Sequence, residues 1–222
     1  YYNVLRLPSA GERLTLQTWV KPDNGLIAPR DYQMFDEDGN ICASSASNWV
    51  IIDMKSRRVS RLYDIIDVYE KEDFHATKYT KLEKIKMPEQ LSVLKKIDVP
   101  YSSLDHTRHV NNAEYIKWIC DSIPQICCPR IENNHPQRAE DAQQLSQRAE
   151  ISEFEINYLK ETKYGDPDVF MLCTHDLNDV IHKTSKSCDE NQGTSKSCDE
   201  IYFQIRNQSG ISVNAKVNLK SL

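Results

Sequence analysis

No apolar run in the 222-residue chain approaches the roughly 20 residues needed to cross a bilayer, so no membrane span is expected. The chain also lacks a basic-then-apolar targeting signal, and because Tyr1 is no initiator, a missing native start is left open beside a fold that lacks its first helix. Zinc-type spacing is absent. The seven cysteines (Cys42, Cys120, Cys127, Cys128, Cys173, Cys188 and Cys198) include no CxxC pair and no histidine partners at ligand intervals. The expectation is a reduced intracellular protein without metal or cofactor, with Cys127-Cys128 in a loop or buried pair. Excess positive charge is lacking too: a net charge of -5 gives no reason to expect a nucleic-acid partner. What is present, 39% hydrophobic and 27% charged residues, suffices for one large or two small folded domains.

The C-terminal half carries the clearer periodicity. Ile211, Val213, Ala215, Val217 and Leu219 alternate with polar residues, as do Ile201, Phe203 and Ile205, with Asn207–Gly210 as the joining turn. Two more strands fit Ile151–Thr162 and Asp168–His175, linked through Gly165 and Pro167. Between Asn111 and Pro124 the period becomes helical, with Asn111 and Glu114 forming a capping box. Lys96–Tyr101 supplies a leading strand. The half therefore predicts one helix embraced by an antiparallel sheet, the hot-dog architecture.

The N-terminal half repeats four of these elements, at Asn3–Leu7, Arg13–Val20, Ala28–Phe35 and Ile41–Asp53, with an Asp38-Gly39 hairpin. It lacks a leading strand and helix. The expected fold class is thus α+β: tandem hot-dog repeats, the first incomplete, joined edge to edge so that an open strand edge is covered. The expected divisions are an N-terminal repeat at 1–54, a charged linker at 55–96 that has no glycine, and a C-terminal repeat at 97–222. Trp49 and Tyr32 are expected in the core. Gln137–Glu140 recurs at Gln147–Glu150, and Thr184–Glu190 at Thr194–Glu200; these polar duplications read as loops.

Ser103-Leu-Asp-His-Thr-Arg-His-Val-Asn-Asn-Ala-Glu-Tyr115 carries the chemistry. It sets Asp105 and His109 just before a helix start, where unpaired N–H groups and the macrodipole favour developing negative charge. A thioester carbonyl docked there would be polarised, and a nearby carboxylate can act as nucleophile or general base. Spacing alone does not separate this from an acidic turn before an Asn-capped helix with a solvated histidine. His106 reads as a solvated neighbour.

This segment resembles the Asp-x-Asn-x-His-Val-Asn-Asn-x-x-Tyr motif of plant and bacterial acyl-acyl carrier protein (acyl-ACP) thioesterases, continuing through Ile116 and Trp118. Phe154-Glu-Ile-Asn-Tyr-Leu-Lys-Glu-Thr162 resembles that family's strand ending in a catalytic Glu. Arg30-Asp-Tyr-Gln-Met-Phe-Asp36 and Trp49-Val-Ile-Ile-Asp53, with Arg57-Arg58 following, are similar to its N-terminal half. The resemblance implies Asp105, His109 and Glu161 as catalytic residues. It implies Thr107, Asn111 and Asn112 as substrate-orienting or oxyanion groups, and an acyl pocket in the first repeat. Arg57 and Arg58 are candidates for docking an acidic carrier protein. Two positions depart from the pattern: Thr107 replaces an Asn, and Thr162 replaces a Cys, which excludes a Cys-His scheme here.

The implied function is hydrolysis of acyl-ACP in fatty acid biosynthesis, in the bacterial cytoplasm or the plant plastid, with a homodimer left open. The alternatives are a hot-dog acyl-CoA thioesterase, or a non-catalytic acyl-binding module in which Thr107 and Thr162 mark a decayed site.

Overall fold

The computed structural model describes residues 1–53, 55–56, 58–61, 70–123, 149–174 and 200–221. Most of both ten-residue duplications, Arg57 and the Cys127-Cys128 pair lie outside these residues. The chain divides into two units, Tyr1–Lys84 with Ser152–Phe154, and Ile85–Ile151 with Glu155–Leu222.

In the first unit, β1 (Tyr2–Val4), β2 (Thr15–Val20), β3 (Ala28–Phe35) and β4 (Ile41–Trp49) form an antiparallel sheet in the order β2-β3-β4-β1. Tyr2 and Asn3 of β1 also pair with Phe154 and Glu153. The β3–β4 hairpin turns where Asp38-Gly39 predicts it. Gly39 has φ 83°, a left-handed conformation that glycine adopts without a Cβ clash. Asp36 braces the turn, its Oδ1 accepting from the N–H groups of Asp38 (3.1 Å) and Asn40 (2.8 Å). Among the described residues this unit holds no α-helix. Trp49, expected in the core, is 57% exposed. It ends β4, and its indole N–H bonds Ser47 Oγ at 2.8 Å rather than inserting into packing. A short pair, β5 (Ile51–Ile52) and β6 (Val59–Ser60), extends into the segment expected as linker.

The second unit begins with β7 (Ser92–Ile97), several residues upstream of the expected Lys96–Tyr101 strand; Tyr101–Ser103 instead turns in a 3-10 helix after Pro100. Next come α1 (Asn112–Cys120), β8 (Ala149–Tyr158, of which Ser152–Phe154 belong to the first unit), β9 (Val169–Cys173), β10 (Glu200–Asn207) and β11 (Gly210–Ser221). The sheet order is β8-β11-β10-β9-β7 and the described pairings are antiparallel. Its core is the period-two set Val169, Met171, Ile201, Phe203, Ile205, Val213, Ala215 and Val217, each at most 1% exposed. The helix adds Tyr115 and Ile119 to the buried set, and below it Ser122 Oγ lies 3.3 Å from Met171 Sδ. One helix on an antiparallel sheet is the predicted hot-dog arrangement.

The alternation fails in the β10–β11 hairpin. Ile205 pairs with Val213 but Arg206 pairs with Ile211, so Ser212 is an extra residue, a β-bulge. The bulge moves Ile211 off the buried face, to 37% exposed, and buries Ser212.

Candidate active site

Ser212 organises the neighbouring loop. Its carbonyl accepts from Leu159 N–H at 2.8 Å, and its Oγ accepts from Thr162 Oγ1 at 2.9 Å, with both residues fully buried. This ends β8 at Tyr158, four residues before the expected end of the strand. The freed segment turns to pair with the Asp105 loop: Val110 N–H donates to Thr162 C=O at 2.9 Å, and His109 bridges Lys163. Glu161 is thereby set against His109, with Oε2 3.1 Å from His109 Nε2. Thr162, where the resembled family has Cys, is a structural residue here. Burial pushes the nearby Tyr115 phenol up, against hydrogen bonds with Thr162 that pull it down. Thr162→Val orphans the buried Ser212 hydroxyl and is expected to cost about 1–2 kcal/mol. Urea unfolding checks this, and an unchanged midpoint would show that the pair holds nothing.

The Asp105 loop is a tight reversal closed by Asp105 N–H to His109 C=O at 2.9 Å, with a Leu104–Val110 bridge. Arg108 takes φ 64° at its tip, a left-handed value uncommon for a side-chain-bearing residue. Asp105 Oδ1 accepts three bonds: from Thr107 Oγ1 (2.6 Å), Thr107 N–H (2.8 Å) and His109 N–H (3.2 Å). Its carboxyl is held below the usual carboxylate range, chiefly by the Thr107 hydroxyl and then by those backbone donors, with His106 adding a smaller pull against partial burial. Since the folded value is lowered, these bonds stabilise the loop above the unfolded Asp pKa of about 3.9 and are lost as pH falls through the folded value. Thr107 Oγ1 also lies 3.0 Å from His109 Nδ1. Asp105, Thr107, His109 and Glu161 thus form one contiguous chain of contacts, while His106 is exposed.

The two asparagines sit at the helix start. Asn111 is the N-cap, its Oδ1 accepting from Ala113 N–H at 2.9 Å. The expected capping box is only half present. Asn111 N–H goes to Ser103 C=O, and the Glu114 carboxylate accepts from Ser103 Oγ at 3.1 Å instead of closing the box. Asn112 C=O accepts from Tyr158 Oη at 3.0 Å, and the Asn112 N–H has no partner among the described residues.

Elsewhere, in the first unit, Arg58 is exposed. That unit holds a cavity of about 320 Å³ whose lining includes Lys21, Asp31, Ala46, Tyr79 and Leu82. Lys21 and Asp31, 5% and 1% exposed, pair at 3.5 Å, and Asp31 also accepts from Ala76 N–H. Nothing in the local pattern marks this buried pair beyond a charged residue on an otherwise alternating strand. Glu12, Asp36 and Cys42 gather as metal-ligand types, but Arg6 bridges the two carboxylates and pulls Asp36 down to about 2, so both acids are already engaged by a cation. No helix among the described residues is long and apolar enough to cross a membrane.

The acyl-ACP thioesterase N-terminal domain matches residues 2–69, and the C-terminal domain of the same family matches residues 85–140, together more than half of the chain. Asp105, Thr107 and His109 fall within the second match, and Glu161 lies beyond it. A chloroplastic palmitoyl-acyl carrier protein thioesterase of Cuphea hookeriana is 30% identical over 134 residues, 54% of this chain and 31% of the relative. A chloroplastic oleoyl-acyl carrier protein thioesterase of Arabidopsis thaliana is 21% identical over 217 residues, 91% of this chain and 53% of the relative. The chain therefore spans between about a third and a half of the curated relatives' length. Solved structures share its fold. An acyl-ACP thioesterase from Bacteroides thetaiotaomicron gives a TM-score of 0.64 at 21% identity, covering 99% of this chain and 73% of that one. A 12:0-ACP thioesterase from Umbellularia californica gives 0.72 at 18%, covering 100% and 71%. With both domain matches in their expected order and the fold in agreement, the chain belongs to the acyl-ACP thioesterase family.

Proposed function

We propose that this chain hydrolyses acyl-ACP thioesters to free fatty acid and carrier thiol, with Asp105, His109 and Glu161 as its catalytic residues. The observation that carries the reading is the unbroken contact chain from Asp105 through Thr107 and His109 to Glu161, in a member of a thioesterase family. A decayed, merely acyl-binding module has no need to hold two carboxylates around one imidazole. Asp105, kept ionised, attacks the thioester carbonyl or activates the water that does. His109 and Glu161 serve the departing thiolate and the water, and the Asn112 N–H at the helix start is the donor available to a developing oxyanion. The acyl chain occupies the N-terminal unit. The compartment is the one that makes acyl-ACP, the plastid in a plant or the cytoplasm in a bacterium.

Turnover on acyl-ACP and acyl-CoA of matched chain length tests the reading. A clear preference for the carrier-bound substrate is expected, and equal or better turnover of acyl-CoA would assign the chain to the acyl-CoA class instead. The carrier preference has an electrostatic component in Arg57 and Arg58. Reversing both to Glu should raise KM for acyl-ACP several-fold and leave a short acyl-thioester surrogate untouched. Added salt should mimic the change, because exposed charges are screened beyond about 8 Å at physiological ionic strength. Equal effects on both substrates would remove these arginines from carrier docking.

A further inference from the structure

The three side-chain contacts of the candidate site determine where its hydrogens lie. Asp105 Oδ1 already accepts two backbone N–H groups, so it is a bare carboxylate oxygen, and the 2.6 Å contact with Thr107 requires the threonine hydroxyl to donate. A hydroxyl has one hydrogen. Thr107 Oγ1 therefore meets His109 Nδ1, 3.0 Å away, as an acceptor, and the hydrogen in that contact belongs to Nδ1. On the far side of the ring, Nε2 lies 3.1 Å from Glu161 Oε2, close enough for the two groups to share a proton when the site carries one. The other Asp105 oxygen, Oδ2, accepts no hydrogen bond among the described residues.

We propose that Thr107 is a positioning residue that fixes His109 as the Nδ1–H form, so that the exchangeable proton of the site is the one shared by His109 Nε2 and Glu161. The two carboxylates then divide the work, and this part rests on the thioesterase reading. Asp105 faces the reaction through Oδ2 and takes a proton from water as the water oxygen bonds to the thioester carbon. The C–S bond breaks with its electron pair on sulfur, and the proton held between Nε2 and Glu161 goes to that thiolate. The proton on Asp105 then returns to the His109–Glu161 pair through solvent, and the carboxylic acid product loses its own proton to water. In the resembled pattern an amide stands at this position, with separate donor and acceptor atoms. A hydroxyl performs both roles with a single oxygen only if the imidazole brings the hydrogen.

Long-range 15N–1H NMR of the histidine rings in the full chain tests this without substrate, with His109 assigned by the signals that vanish in His109→Gln. Nδ1 of His109 should carry the hydrogen in the wild type. Thr107→Ser should preserve that pattern and Thr107→Val should abolish it. Position 107 is exposed, so neither change threatens folding. On acyl-ACP, Thr107→Val should lower kcat roughly tenfold to a hundredfold with KM nearly unchanged, the scale of misplacing a catalytic group, and Thr107→Ser should restore most of it. An unprotonated Nδ1 in the wild type, or unchanged His109 signals in Thr107→Val, would overturn the assignment. The expected spectra without acyl-ACP hydrolysis would uphold Thr107's role and overturn the thioesterase reading alone.

Discussion

Asp105→Asn is expected to lower kcat for acyl-ACP by at least ~10²-fold, the scale of losing a positioned catalytic base, and to leave the fold in place. The two halves of that expectation have separate physical causes. The loop depends on Asp105 Oδ1, which accepts from Thr107 N–H, Thr107 Oγ1 and His109 N–H, and a carboxamide oxygen, with two lone pairs, can keep two of these donors. What the amide cannot do is take up a proton or attack a carbonyl through the atom that replaces Oδ2. Steady-state kinetics with a circular-dichroism melt read both halves at once. A folded variant retaining more than a third of wild-type turnover removes Asp105 from the chemistry. A variant that fails to melt cooperatively makes the residue structural.

Phe203→Ala is expected to cost about 3–5 kcal/mol, the range for emptying a fully buried aromatic site. Phe203 is wholly buried at the centre of β10, where its cross-strand partners are Ala215 on one side and Cys173 on the other, both also fully buried. Those short side chains have no spare length with which to fill the vacancy, so the cavity persists. Against a typical total of about 5–15 kcal/mol, the loss is large enough to move the urea midpoint markedly. A shift worth under about 1 kcal/mol would mean that the core here is looser than the burial implies.

Both expectations draw on features that were unevenly legible in the chain. The alternation of Val213, Ala215, Val217 and Leu219 is written in residue type, and these side chains are buried as the period requires. Ile211 obeys the same pattern and is exposed, because a bulge at Ser212 is a property of the ladder and not of local apolarity. The same bulge explains why β8 stops at Tyr158. Ser212 captures Leu159 and Thr162, and the chain leaves the sheet where its own periodicity gives no reason to. Lys96–Tyr101 reads as a strand from composition, but pairing with β9 draws the strand back to Ser92–Ile97. Trp49 reads as core from its size, although it lies at a strand end and is more than half exposed.

For the candidate site, residue types and local spacing carried Asp105, His109 and the Asn111 cap, because a loop-to-helix junction is a short-range feature. The Glu161 contact joins segments 52 residues apart, and resemblance rather than spacing pointed to it. The direction of the Thr107 hydroxyl and the buried Lys21–Asp31 pair depend on distances that no sequence pattern encodes.

The most direct measurement is release of free thiol from a panel of acyl-ACP substrates of increasing chain length, by the purified wild-type chain beside Asp105→Asn. Catalytic turnover by the wild type on at least one chain length, reduced ~10²-fold or more in the variant, is the predicted result. No turnover above the protein-free rate on any length, or equal turnover by both proteins, would contradict the assignment of thioester hydrolysis to the Asp105–Thr107–His109–Glu161 chain.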